Sequence, residues 1–389
     1  MMKRKYFIYT FALFLLFLSA CRLKDAQVTP VGKPLEYAGP TRKIRELLDS
    51  TNLTVYKAIW KKVNMDSVIA DGAWQAYTLL APTDDAFAKA GITADKVKVM
   101  QVEDLDTLLF YHVLDSWLSG DQLKKLTGSN NMRSLLRRTD LPGFYSNDPY
   151  IYAQYLGYHD GKLMINGKPY TLKPLEAING TIYLLDAVLN KPAQDMYDYL
   201  LNNPEFSYLM EAFRISDSIY QLSWKQPRMT DLLKTTAQYK SFTLFAPTNR
   251  AFQQSGFNTV DDLRQRALLY DVGDSYYNDN MYYVSPTTSL DSVLSANHLD
   301  FNAAMKPNYP LVLFSNDLTD NAMLAGFQIR PGSTYHEGPQ FIRLSFANNA
   351  GSIMVKQLGS SLPARKLVTT DLLFRNGVIH VIDDGLFMP

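Results

Sequence analysis

The chain has 389 residues, 47% apolar, 13% aromatic and 20% charged, and 39 Lys and Arg against 38 Asp and Glu give a formal net charge of +1. That length corresponds to two or three domains, each able to bury a core. The apolar share excludes a disordered chain, the absence of a long basic run argues against nucleic-acid binding, and a single cysteine leaves no intramolecular disulfide and no cysteine-based metal site.

The first predicted element is a leader. Lys3, Arg4 and Lys5 form a basic head, an apolar run follows from Tyr6 to Leu18, and Leu18-Ser19-Ala20-Cys21 closes it. The run is short for a membrane span and has the form of a secretory signal. Leu-Ser-Ala-Cys resembles the lipobox of bacterial lipoproteins, and Lys24-Asp25 after it resembles the charged export tag of surface lipoproteins of the Bacteroides type. That resemblance implies cleavage of residues 1–20 and lipidation at Cys21, with attachment to the outer membrane through several acyl chains. Loss of the leader would remove three positive charges and take the chain from +1 to −2. Residues 21–40 contain Pro30, Gly32, Pro34, Gly39 and Pro40, show no helical or strand period, and are expected to be a flexible tether.

A first unit, 41–192, begins with apolar residues at helical spacing: Ile44, Leu47 and Leu48, then Val55 and Ile59. Tyr77-Thr78-Leu79-Leu80-Ala81-Pro82 is expected to be a buried strand stopped by proline. Thr83 follows as an N-cap, Phe87 faces the core four residues on, and Gly91 suits a left-handed helix stop. Val102-Glu103-Asp104-Leu105 opens an acidic-capped helix that runs into Leu108-Leu109-Phe110-Tyr111-His112-Val113. Asn179-Gly180 predicts a tight turn into the strand Thr181-Ile182-Tyr183-Leu184-Leu185.

A second unit, 195–389, repeats this order beyond a boundary at Lys191-Pro192-Ala193-Gln194. Met196, Leu200, Leu201, Phe206, Leu209, Met210 and Phe213 fall at helical spacing. Phe242-Thr243-Leu244-Phe245-Ala246-Pro247 then precedes Thr248, Phe252 and Gly256. Val260-Asp261-Asp262-Leu263 leads to Leu268-Leu269-Tyr270-Asp271-Val272, and Asn376-Gly377 leads to Val378-Ile379-His380-Val381-Ile382. The two units are 165 residues apart at the capping threonine and 197 apart at Asn-Gly, so the second carries about 32 extra residues, expected largely between Tyr276 and Pro363.

The Ala-Pro-Thr-x-x-Ala-Phe segment, the Leu-Leu-x-Tyr-His segment and the Asn-Gly ending, in this order in both halves, resemble the marks of the fasciclin-domain family. The resemblance implies an α+β fold, with two tandem fasciclin-like domains, each a β-sandwich wedge flanked by helices. Tyr111-His112 becomes Tyr270-Asp271 in the second unit, which departs from the pattern. In some animal relatives the tyrosine-histidine pair is tied to integrin binding; the alternative is that both rings pack where the helix meets the core.

No histidine of the five lies at a short zinc spacing, and neither a nucleophile elbow nor a phosphate loop is present. Tyr158-His159-Asp160 and Tyr335-His336-Glu337 put a histidine beside a carboxylate, but strand neighbours point to opposite faces. No cofactor and no metal are expected. Tyr145, Tyr150, Tyr152, Tyr155 and Tyr158 cluster in the first unit, and Tyr276, Tyr277, Tyr282 and Tyr283 in the second. Such rings suit glycans or partner surfaces, or they cover the sheet. With Cys21 as the lipidation site and Tyr111, His112, Tyr276, Tyr277, Tyr282 and Tyr283 as binding candidates, the expected function is non-enzymatic. It would be a surface-exposed lipoprotein on the outer membrane, held by its N-terminal lipid and binding glycan, extracellular matrix or a surface protein. An accessory glycan-binding subunit of a polysaccharide uptake system is the alternative, and a hydrolase is a third, weaker reading.

Overall fold

The computed structural model describes residues 39–71, 76–143, 148–221, 229–234, 241–268, 312–319, 333–334, 338–339, 344–349 and 351–386. The chain divides into Met1–Pro40 and a compact unit, Thr41–Pro389, that contains both repeats.

The first repeat opens with α1 (Ile44–Asp49), α2 (Thr54–Lys62) and α3 (Met65–Asp71), and then enters β1 (Tyr77–Pro82). Thr83 caps α4 (Asp84–Lys89), its hydroxyl accepting from Ala86 N–H at 3.2 Å, and Gly91 ends the turn at φ +69°. Two helices follow, α5 (Ala94–Val99) and α6 (Val102–Tyr111). After them come β2 (Val113–Leu114), α7 (Gly120–Leu123), β3 (Asn130–Pro142), β4 (Pro149–His159), β5 (Lys162–Ile165), β6 (Lys168–Tyr170), β7 (Pro174–Ala177) and β8 (Gly180–Leu185). The sheet order is β6-β5-β4-β3-β2-β1-β8-β7, and β1 pairs in parallel with β8, Tyr77 opposite Gly180 and Pro82 opposite Leu185.

Alternation along β1 sets the layers. Tyr77, Leu79 and Ala81 pack with Ile182 against α1, α2 and α6, around the buried Tyr56, Ile59 and Trp60. Leu80, with Tyr183 and Leu185 of β8, faces the other way and packs on Leu136, Tyr152, Leu156, Leu163, Ile165 and Tyr170 of β3–β6. The strands therefore enclose one core and the helices cover a second.

The other repeat comprises α8 (Met196–Asn202), α9 (Ser207–Gln221), α10 (Met229–Leu232), β9 (Phe242–Pro247), α11 (Asn249–Gln254) and α12 (Val260–Leu268). Beyond these lie the short pair β10 (Ser333–Thr334) and β11 (Gly338–Pro339), then β12 (Leu344–Asn349), β13 (Ser352–Gln357), β14 (Arg365–Phe374) and β15 (Gly377–Ile382). Its sheet order is β12-β13-β14-β15-β9, and β9 and β15 repeat the parallel pairing, Phe242 opposite Gly377 and Pro247 opposite Ile382. Leu244, Ala246, Ile379 and Val381 face the helices with Met196, Phe206, Phe213 and Phe252. Phe245 and Ile382 face Leu344, Phe346 and Val355. Mixed helices and sheets, built twice on the same strand pairing, make the fold α+β.

Within α8, Met196 and Leu200 are buried while Leu201, one position further round, is 44% exposed, and the 3-10 segment Pro204–Phe206 after the helix carries Phe206 inward.

Candidate functional site

The helix end at Tyr111-His112 is interior. His112 follows α6, is 1% exposed, and has both ring nitrogens engaged by main chain: Nδ1 donates to the Leu108 carbonyl at 2.7 Å and Nε2 accepts from Leu189 N–H at 2.9 Å. This arrangement fixes a neutral Nδ1–H tautomer, and burial pushes the imidazole pKa down to about 4. Tyr111 stands edge-on to Tyr152, ring centroids 6.0 Å apart. Its hydroxyl lies beside the amides of Gln154 and Asn166 without a hydrogen bond of ordinary geometry, and burial drives its pKa upward. Neither ring offers a surface to a partner in this fold.

Three tyrosines of the first cluster cover strands. Tyr152 and Tyr155 are buried, and Tyr150 is half-buried with its hydroxyl donating to the Arg375 carbonyl at 2.5 Å. Tyr145, Tyr276, Tyr277, Tyr282, Tyr283 and Cys21 lie outside the described residues, as do Tyr270-Asp271, His298 and His336. His159 and Asp160 do meet, contrary to the strand argument. Asp160 adopts a left-handed φ of 47° in the β4–β5 turn and brings its carboxylate within 3.3 Å of His159 Nε2. Both side chains are exposed at a hairpin tip.

His380 of β15 sits where β8 has Tyr183. It is fully buried; Nε2 donates to the Leu313 carbonyl at 2.9 Å and Nδ1 accepts from Asp371 N–H at 3.4 Å. Burial lowers its pKa against the opposing pull of Asp371. Among the described residues no cluster of three or more His, Cys, Asp or Glu could hold a metal ion, and no helix is long and apolar enough to cross a membrane.

The two repeats meet largely through residues that no motif marks. In both, a threonine of the first strand accepts a main-chain N–H from a later loop: Thr78 from Leu118 at 2.9 Å, Thr243 from Leu313 at 2.8 Å. Trp117-Leu118 and Val312-Leu313 are therefore equivalent. In the second repeat Val312, Phe314 and Val378 are buried against Tyr155 of the first, with the Tyr155 and Phe314 rings 5.3 Å apart. Asp317, 1% exposed, seals this seam. One carboxylate oxygen accepts from Ser129 N–H and Asn316 Nδ2, both at 2.9 Å, and the other from Phe314 N–H at 2.8 Å. Burial raises its pKa to about 6 in spite of these donors. Gly167, at φ +80°, presses on the Asp371 carboxyl, and a Cβ there would lie 2.5 Å from its Cγ.

The equivalent face of the first repeat is open. Trp117 is 43% exposed, and its indole N–H donates to Thr181 Oγ1 at 3.0 Å. Thr181 Oγ1 in turn donates to Glu176 at 2.8 Å, whose other oxygen accepts from Gly120 N–H at 2.7 Å. Ile178, 43% exposed, forms the β7–β8 turn beside them. The sequence signal that could have found Trp117 is its place in the repeat, where the second half has a buried valine.

The comparisons with known proteins match this architecture only in part. Residues 51–191 match the family model of the Fasciclin domain. Among solved structures the chain is similar to a FAS1 domain pair from the insect cell adhesion molecule Fasciclin I, at 17% identity and a TM-score of 0.29, covering 85% of this chain and 96% of that one. No curated protein matches the sequence.

Proposed function

We propose that this protein is a non-enzymatic, surface-exposed lipoprotein that carries two fasciclin-like domains on a lipid tether and serves adhesion or ligand binding. The observation that carries the reading is the Fasciclin-domain match over residues 51–191. The same parallel strand pair and threonine-capped helix, rebuilt at Phe242–Gln254 and Gly377–Ile382, extend it to the second half. Adhesion is what that domain implies, and the leader ending at Cys21 supplies the anchor, with the outer membrane as its site. The described histidines add nothing to a hydrolase: two are buried on main-chain partners and one lies at an exposed turn. The accessory glycan-binding alternative keeps Tyr276, Tyr277, Tyr282 and Tyr283, whereas Tyr150, Tyr152 and Tyr155 are committed to the sheet and the seam.

The test has two arms. In the host, the Cys21→Ser chain should leave the membrane fraction and lose incorporation of labelled fatty acid; retention with label would remove the anchor. Immobilised protein starting at Cys21, presented with glycans, matrix proteins and cells, should bind at least one of them saturably. Silence across the panel would remove the binding role.

A further inference from the structure

We propose that the end of the first repeat carrying Trp117 and Ile178 rests on an anionic lipid surface, so that the module lies against the membrane that anchors it. This rests on the Cys21 anchor reading. The described chain enters the fold at this end, where the Arg42 carbonyl accepts from Ile178 N–H at 3.0 Å and Asn179 of the same turn accepts from Ile44 N–H at 2.8 Å. Cys21 is 20 residues upstream of Thr41, a reach of at most about 70 Å, and that stretch leads into Arg42 and Ile44, the residues bonded to the β7–β8 turn.

The chemistry suits a headgroup boundary. The Trp117 N–H is already satisfied by Thr181, so the exposed part of its ring is apolar surface that leaves no unmet donor on entering lipid. Glu176, linked to the indole through Thr181, has both oxygens occupied by Thr181 and Gly120. Exposed cations flank the pair: Arg42 and Lys43 at the chain entry, and Lys124 and Lys125 at the end of α7. Lys124 is partly offset by Asp121, 3.3 Å away. Each basic side chain at an anionic surface strengthens partitioning about fivefold, and tethering raises the local concentration enough for a weak contact to be populated. The second repeat gives the contrast. There the equivalent residues Val312 and Val378 are apolar and covered by protein, whereas here Thr181 and Glu176 are hydrogen-bonded beneath the exposed Trp117, with Ile178 exposed on the neighbouring turn.

Because Cys21 is the sole cysteine, the chain from Cys21 onward can be coupled to maleimide-phosphatidylethanolamine in vesicles of phosphatidylglycerol and brominated phosphatidylcholine, without the host's lipidation machinery. Bromine should quench tryptophan emission of the wild-type chain, and Trp117→Phe should lose most of that quenching. Ile178→Ser combined with Lys125→Glu, which leaves Trp117 in place, should weaken quenching about fivefold or more. Equal quenching in wild type and Trp117→Phe, or none in either, overturns the proposal. Failure of the anchor reading is seen separately, as wild-type protein that stays soluble in fractionated host cells whatever the vesicles report.

Discussion

His112 illustrates how a residue with functional associations can be held entirely by the fold. Both nitrogens are saturated by main-chain groups on either side of the sheet, Leu108 and Leu189. Replacing it with alanine leaves a buried carbonyl and a buried N–H without partners, at a cost of about 2–4 kcal/mol in urea unfolding at pH 7. The pH dependence follows from the lowered pKa. An unfolded histidine protonates near pH 6.5 and the folded one near 4, so the unfolded chain binds more protons in this window and stability falls as the pH drops through it. Between pH 7 and 5 this group alone should remove about 2 kcal/mol. The gap between wild type and His112→Ala should accordingly narrow at pH 5; a gap that widens or stays constant would show that the imidazole is not held neutral. Folded His112→Ala protein should bind any ligand found for the wild type with unchanged affinity.

At the level of elements, the two capped helices are a natural comparison. Thr83 and Thr248 both accept from the third residue of their helices, but Thr248 also donates to Asp383 at 2.5 Å, and Arg250 of α11 meets the same carboxylate at 2.9 Å. Thr83→Ala should cost about 1 kcal/mol, the usual value of a cap. Thr248→Ala should cost about 1 kcal/mol more, because the hydrogen bond to Asp383 goes with it; equal losses in chemical denaturation would assign no value to that link. The turn before β8 is stricter. Gly180 has φ +147°, and a Cβ would lie 1.9 Å from the Tyr77 carbonyl oxygen, so Gly180→Ala should destabilise the first repeat by more than about 3 kcal/mol or prevent its folding. A Gly180→Ala chain of near-native stability would contradict that packing. These local features were legible in the sequence because each is short-range: threonine and glycine bracket one helix turn, and Asn-Gly sets one strand's entry. Leu201 shows the limit of such spacing: it lies in α8, but one position past Leu200 turns it about 100° off the buried face.

For the molecule as a whole, what the sequence concealed is the seam. Asp317 and Ser129 are 188 positions apart, and no period or motif relates them; only closure of both sheets brings a main-chain N–H of one repeat to a carboxylate of the other. The same holds for Tyr155, which belongs to a tyrosine-rich run but is buried beneath Phe314. The seam should make the two repeats unfold together, and Asp317 supplies its pH signature, opposite in sign to that of His112. Its pKa rises from the ordinary 3.8 to about 6 on docking, so the docked state takes up protons more readily than the separated one, and the association strengthens as the pH falls through this range. From pH 7 to 5 the gain is about 1 kcal/mol. Asp317→Ala forfeits that gain and strands the N–H groups of Ser129 and Phe314, so its deficit against wild type should be about 2–4 kcal/mol at pH 7 and about 1 kcal/mol larger at pH 5. Denaturant unfolding followed at both pH values should also show the single transition of the wild type splitting in two in the variant, since the Tyr155–Phe314 contact with its apolar neighbours and the Tyr150–Arg375 hydrogen bond then hold the repeats together without the buried carboxylate. A deficit that shrinks on acidification would mean that Asp317 is ionised and well solvated at the seam, and that its carboxylate does not hold the repeats together.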